Sequence, residues 1–125
     1  MTLSTLRTRL ETATEADQAE VLEMAFDVFL PDPLNVPDCS DDYDEKWLPL
    51  VDRFAVRMQA AAYTDAALLI MREVLPGWGY TLREGRAELR HPEQSRNDQI
   101  ANGATLSLAI IAAICAAKGD GDVNT

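Results

Sequence analysis

Between Arg9 and Lys46 lie 36 residues without a single lysine or arginine. The same stretch holds twelve carboxylates, from Glu11 to Glu45. The rest of the chain carries nine acids and eleven bases, so the formal charge of −10 arises in this one block. Such a block cannot neutralise itself; it faces water, a cation or a basic partner. Phosphates would meet a repulsive field, which argues against direct binding to nucleic acid, and anionic membranes are disfavoured on the same ground.

Other shortages narrow the chemistry. There is one histidine, His91, so a catalytic role for it needs a nucleophile or acid in reach. The two cysteines, Cys39 and Cys115, have no histidine or base beside them in sequence, which disfavours a thiolate enzyme. Cys39 falls in a polar loop and Cys115 in an apolar helix, so a disulfide is not favoured. The glycines are too sparse for a phosphate loop: Pro76-Gly77-Trp78-Gly79 is short and opens a strand, not a helix. No apolar run reaches the length of a membrane span, and the most apolar segment, residues 106–117, is too short. The first residues turn acidic after Arg9 and contain no apolar signal core, so a cytoplasmic protein is expected. No cofactor and no metal are expected, and the chain is read as non-enzymatic.

What is present describes one ordinary domain. With 125 residues and 47% hydrophobic content, the chain is long enough to bury a core. Leu3, Leu6 and Leu10 have helical spacing. Thr12 or Thr14 then caps a second helix from about Glu15 to Phe29, with Leu22, Ala25, Phe26 and Phe29 as its buried stripe and Glu20, Glu23 and Asp27 on another face. Pro31 and Pro33 end it. Residues 31–45 read as an acidic loop with three prolines and six acids. From Trp47 the helical period returns at Val51, Phe54, Ala55, Met58 and Ala62. Thr64 is a candidate cap for a continuation through Ala66, Ala67, Ile70 and Val74, so residues 47–75 fit either two helices or one bent helix.

A hairpin is expected at about 78–91. Trp78, Tyr80 and Leu82 alternate with polar or small residues, as do Ala87, Leu89 and His91. A turn at Glu84-Gly85 pairs Leu82 with Ala87, Tyr80 with Leu89 and Trp78 with His91, all on one face. His91 is thus expected to pack on Trp78. The same register sets Arg83 against Arg86, a small cost to the fold unless a longer turn splays them. Residues 92–103 read as a polar connection. A last helix follows over about 104–117, apolar on nearly all sides, with Gly119 as its stop and a frayed tail beyond.

Three stretches resemble a known family. Leu6-x-x-Arg9-Leu10-Glu11-x-Ala13-Thr14 followed by an acidic helix resembles the start of many small phage and prophage proteins. Tyr63-Thr64-Asp65-Ala66-Ala67-Leu68, with Leu75-Pro76-Gly77-Trp78-Gly79-Tyr80, is similar to the core of the phage ABA sandwich domain. Gly103-Ala104-Thr105-Leu106-Ser107-Leu108-Ala109 resembles the last helix of that family. The resemblance implies an α+β fold of α/β/α layers, a phage or prophage origin and no established chemistry. The acidic loop and the helix over 47–62 depart from the pattern and are where a function of this chain's own is expected.

The candidate partner-binding residues are therefore Asp38, Asp41, Asp42, Tyr43, Asp44, Glu45 and Trp47. The acids steer a basic partner while the aromatics supply area. The simpler readings are a solvated loop and a Trp47 that belongs to the core. A calcium loop fails for want of a glycine at the required position. Two functions of different kinds remain. One is an accessory or structural phage module that binds itself or another phage protein. The other is an acidic, anti-CRISPR-like inhibitor of a host defence system that blocks a basic nucleic-acid-binding surface.

Overall fold

The computed structural model describes residues 2–30, 48–93 and 98–122. Helix α1 spans Leu3–Thr12 and α2 spans Gln18–Phe29, with a single 3-10 turn, Glu15–Asp17, between them. Helices α3, Leu48–Gln59, and α4, Tyr63–Val74, follow. Strands β1, Gly79–Arg83, β2, Arg86–Arg90, and β3, Gln99–Asn102, precede the last helix, α5, Leu106–Asp122. The fold class is α+β: among the described residues, five helices pack on a small antiparallel sheet.

The hairpin has the expected register: Leu82 opposes Ala87, Tyr80 opposes Leu89 and Arg83 opposes Arg86. Gly85 supplies the turn with φ +68°, a backbone state that side chains disfavour. Trp78 and His91 meet beyond the strand ends, ring centroids 5.0 Å apart and edge to face. The third strand was not expected. Gln99–Asn102 pairs antiparallel with β2, Ala87 opposing Ala101, and corrects the reading of 92–103 as connection alone. Its alternation is inverted for a sequence reader, because polar Gln99 shares the core face while Ile100 is 51% exposed on the other.

The helices pack on one face of this sheet. Helix α5 lies on β2 and β3, and α4, α2 and α1 pack on α5 from the far side. The layer order is thus sheet, α5, outer helices. That explains why α5 is apolar all round: Leu108, Ile110, Ile111 and Ile114 are each at most 2% exposed. Its alanines Ala109 and Ala113 are also fully buried and allow close approach. Helix α4 supplies a continuous buried run from Ala66 to Met71.

Three boundaries differ from the sequence expectation. The second helix begins at Gln18 because Asp17 holds the turn before it: its carboxylate accepts the Thr14 N–H at 2.8 Å and the Thr14 hydroxyl at 3.1 Å. The run over 47–75 is two helices. They are broken at Ala61, which takes φ +56°, and α4 starts from Ala62 with no side-chain cap, so Thr64 is not its cap. Helix α5 continues through Gly119 to Asp122, since glycine costs a helix only about 1 kcal/mol and does not by itself end one.

Candidate functional site

Six of the twelve acids of the cation-poor block lie on described residues: Glu11, Glu15, Asp17, Glu20, Glu23 and Asp27. They occupy the end of α1, the 3-10 turn and α2. Arg9 is their one counter-ion among the described residues, 2.9 Å from Asp17 and 3.3 Å from Glu20. Two contacts hold the Asp17 carboxyl below the usual range, first the Thr14 backbone N–H and then the Arg9 guanidinium. The same carboxylates raise the Arg9 pKa further. Glu11, Glu15, Glu23 and Asp27 make no salt bridge among the described residues and are all exposed. The charge carried by these four acids is therefore presented on a surface.

One edge of that surface borders a groove. Phe26 of α2 and Phe54 of α3 stack with centroids 4.5 Å apart and ring planes tilted by 31°. They form its floor together with Val51, Ala55 and Met58, while Glu23 and Asp27 form one wall. The groove has a volume of about 390 Å³. Both helices are amphipathic, and the pairing of Phe26 with Phe54 leaves Val51, Ala55 and Met58 only half buried. The groove thus sets half-buried apolar area beside carboxylates that make no salt bridge among the described residues.

The residues singled out from sequence, Asp38, Asp41, Asp42, Tyr43, Asp44, Glu45 and Trp47, lie outside the described residues, as does Cys39. The acids of α2 were visible in the sequence as one helical face. Their partner wall was not, because the approach of α3 to α2 is a tertiary fact. Its only sequence signal is an aromatic at a buried position in each helix.

The other reactive side chains are tied into structure. Cys115 is a free thiol, 2% exposed, and burial pushes its pKa up to about 12. Its carbonyl oxygen accepts a 2.7 Å hydrogen bond from Arg7, which joins α1 to α5. A thiol held protonated is a poor nucleophile. Alkylation of the native protein should therefore leave Cys115 unlabelled until the chain unfolds, as read by peptide mass spectrometry. Rapid native labelling of Cys115 would show that α1 does not cover it.

His91 accepts a 3.0 Å hydrogen bond at Nδ1 from the Glu93 backbone N–H, and the His91 backbone N–H donates to Asp98 Oδ1 at 2.8 Å. These bonds hold the ring at the end of β2, against Trp78. Ser107, fully buried, donates to Gln18 at 2.7 Å and joins α5 to α2. Among the described residues no three metal-ligating side chains come together, and no helix is long and apolar enough to cross a membrane. No protein-family model matches the chain, and neither a curated protein nor a solved structure matches it.

Proposed function

We propose that this protein acts by binding another protein, and that the acid-walled groove between α2 and α3 is the contact surface. The observation that carries the reading is the juxtaposition of Phe26, Phe54, Val51, Ala55 and Met58 with the carboxylates of Glu23 and Asp27. The partner is a basic amphipathic segment. Its apolar side lies on the groove floor and its Lys and Arg side chains meet the acids. Asp38, Asp41, Asp42, Asp44 and Glu45, with Tyr43 and Trp47, extend the same charge in sequence. The resemblance to the phage ABA sandwich domain supports a phage or prophage origin and an accessory or structural role. The one-sided charge favours a second reading, inhibition of a host defence protein by covering its nucleic-acid-binding surface.

Affinity capture from bacterial lysate identifies the partner, and kinetics with that purified partner test the reading. Asp41, Asp42 and Asp44 changed together to Asn, or Glu23 and Asp27 to Gln, should slow association by about tenfold or more. The salt dependence should weaken with it, because steering acts over a Debye length of about 8 Å at physiological ionic strength. Ala55→Arg, a good helix former that fills the groove, should abolish binding while the melting temperature stays near wild type. A nuclease or nucleic-acid-binding partner selects the inhibitor; a phage structural protein selects the module. Unchanged kinetics in all three variants would remove the groove and the acid block from the function.

A further inference from the structure

The sheet face turned away from α5 carries the opposite charge. Thr81, Arg83, Arg86 and Glu88 line a notch of about 130 Å³ on it. Arg83 and Arg86 oppose each other in the closing pair of the hairpin, an arrangement that like charges disfavour. Neither guanidinium makes a hydrogen bond or salt bridge among the described residues, and Glu88, two residues along β2, does not approach within salt-bridge distance. Arg90, on the same face, is engaged: its Nη2 donates to the Tyr80 carbonyl at 3.2 Å, passing over Gly79 where a side chain would crowd it. The turn that holds the two arginines together is fixed from behind, since the Gly85 carbonyl accepts the Gly103 N–H at 3.0 Å just before α5.

We propose that this notch binds a phosphate-type oxyanion between Arg83 and Arg86, with the Thr81 hydroxyl as an additional donor. Two guanidiniums offer forked donors to a tetrahedral anion, and a dianion relieves their mutual repulsion. The side chains leave the notch one positive charge, two arginines against Glu88, so an anion of higher charge is preferred. The acids on α1 and α2 lie beyond α5, where salt screens them over about 8 Å. This site is independent of the groove between α2 and α3, and either can fail without the other.

The test uses the full chain and inorganic phosphate, exchanged for chloride at constant ionic strength. The NMR signals of the Arg83 and Arg86 Nε–H groups should shift saturably, with a dissociation constant in the millimolar range. Changing both arginines to Gln should weaken binding about tenfold or more, and the melting temperature should not fall, because a like-charge pair is removed. Glu88→Gln should tighten binding about two- to fivefold by removing the one repulsive carboxylate. A phosphoserine peptide that binds more tightly than phosphate identifies a phosphorylated polypeptide as the source, and equal binding identifies the free ion. Absence of a saturable shift in wild type overturns the proposal. So do equal shifts in the double variant, or Glu88→Gln binding no better than wild type.

Discussion

Truncating Ile110 or Ile114 to alanine is expected to cost about 2–4 kcal/mol each. Both are fully buried in α5, which packs against the sheet and against α1, α2 and α4. The transfer term alone is about 2 kcal/mol for the methylenes lost. The cavity term adds to it, because a helix held between the sheet and α1, α2 and α4 relaxes only partly into the space. For a chain of this length the melting temperature should fall by roughly 10 °C. The two changes together should cost about 4–8 kcal/mol, enough to unfold a protein at the lower end of the ordinary range of about 5–15 kcal/mol. The converse change tests the same geometry. Ala113 is fully buried, so Ala113→Phe should overpack the site and cost about 1–3 kcal/mol. Wild-type melting in all three variants would mean that α5 is not the centre of the fold.

The central position of α5 was legible because its apolar residues cover every side, which only a helix enclosed by neighbours tolerates. The hairpin was legible for a different reason. Turn position and side-chain alternation are independent signals, and both selected the register that pairs Leu82 with Ala87. Where signals were single or reversed, the reading failed. β3 is four residues long, and its one large apolar side chain, Ile100, points away from the core. Pairing with β2 makes it a strand, and pairing leaves no local trace. The break between α3 and α4 falls in Ala60-Ala61-Ala62, the residues that most favour continuing a helix. Tertiary packing of α4 on α5 outweighs that preference.

The site divides along similar lines. Charge is a sequence property, and the acid face of α2 followed from the spacing of Glu20, Glu23 and Asp27. The groove beside it needed Phe26 and Phe54 to meet across about thirty residues of chain, which no period announces. The arginine notch shows a third case. The opposition of Arg83 and Arg86 followed from the hairpin register and read as a small cost to the fold. Only the one-sided packing of the sheet shows that this costly pair stands on an open face, where an anion can reach it. A local conflict left in place at an exposed position is a pointer to function.

The packing behind that notch gives the second large effect. Gly103 joins β3 to α5, and it does not lie in the left-handed region. Its lack of a side chain is a matter of space. A Cβ there would stand 2.6 Å from the Ala109 nitrogen, 3.0 Å from the Leu108 carbonyl carbon and 3.1 Å from the Ala109 Cα. All three are backbone atoms of the central helix and cannot swing aside as a side chain would. Gly103→Ala must therefore push the end of β3 off α5. Through the Gly103 N–H to Gly85 bond, that shift pulls on the hairpin turn between Arg83 and Arg86. The expected cost is about 3 kcal/mol or more, at the upper end for overpacking. Gly77 supplies the control. It has φ +85° but nothing within 4 Å of an added Cβ, so Gly77→Ala should cost only the conformational penalty of about 1–2 kcal/mol. Chemical denaturation of the two variants at one temperature separates space from conformation. Gly103→Ala should show the lower midpoint, with shifted Arg83 and Arg86 signals in its native spectrum. Gly77→Ala should leave those signals in place. A Gly103→Ala variant as stable as Gly77→Ala would mean that β3 does not rest on the first turns of α5 and that the arginine turn is not anchored from behind.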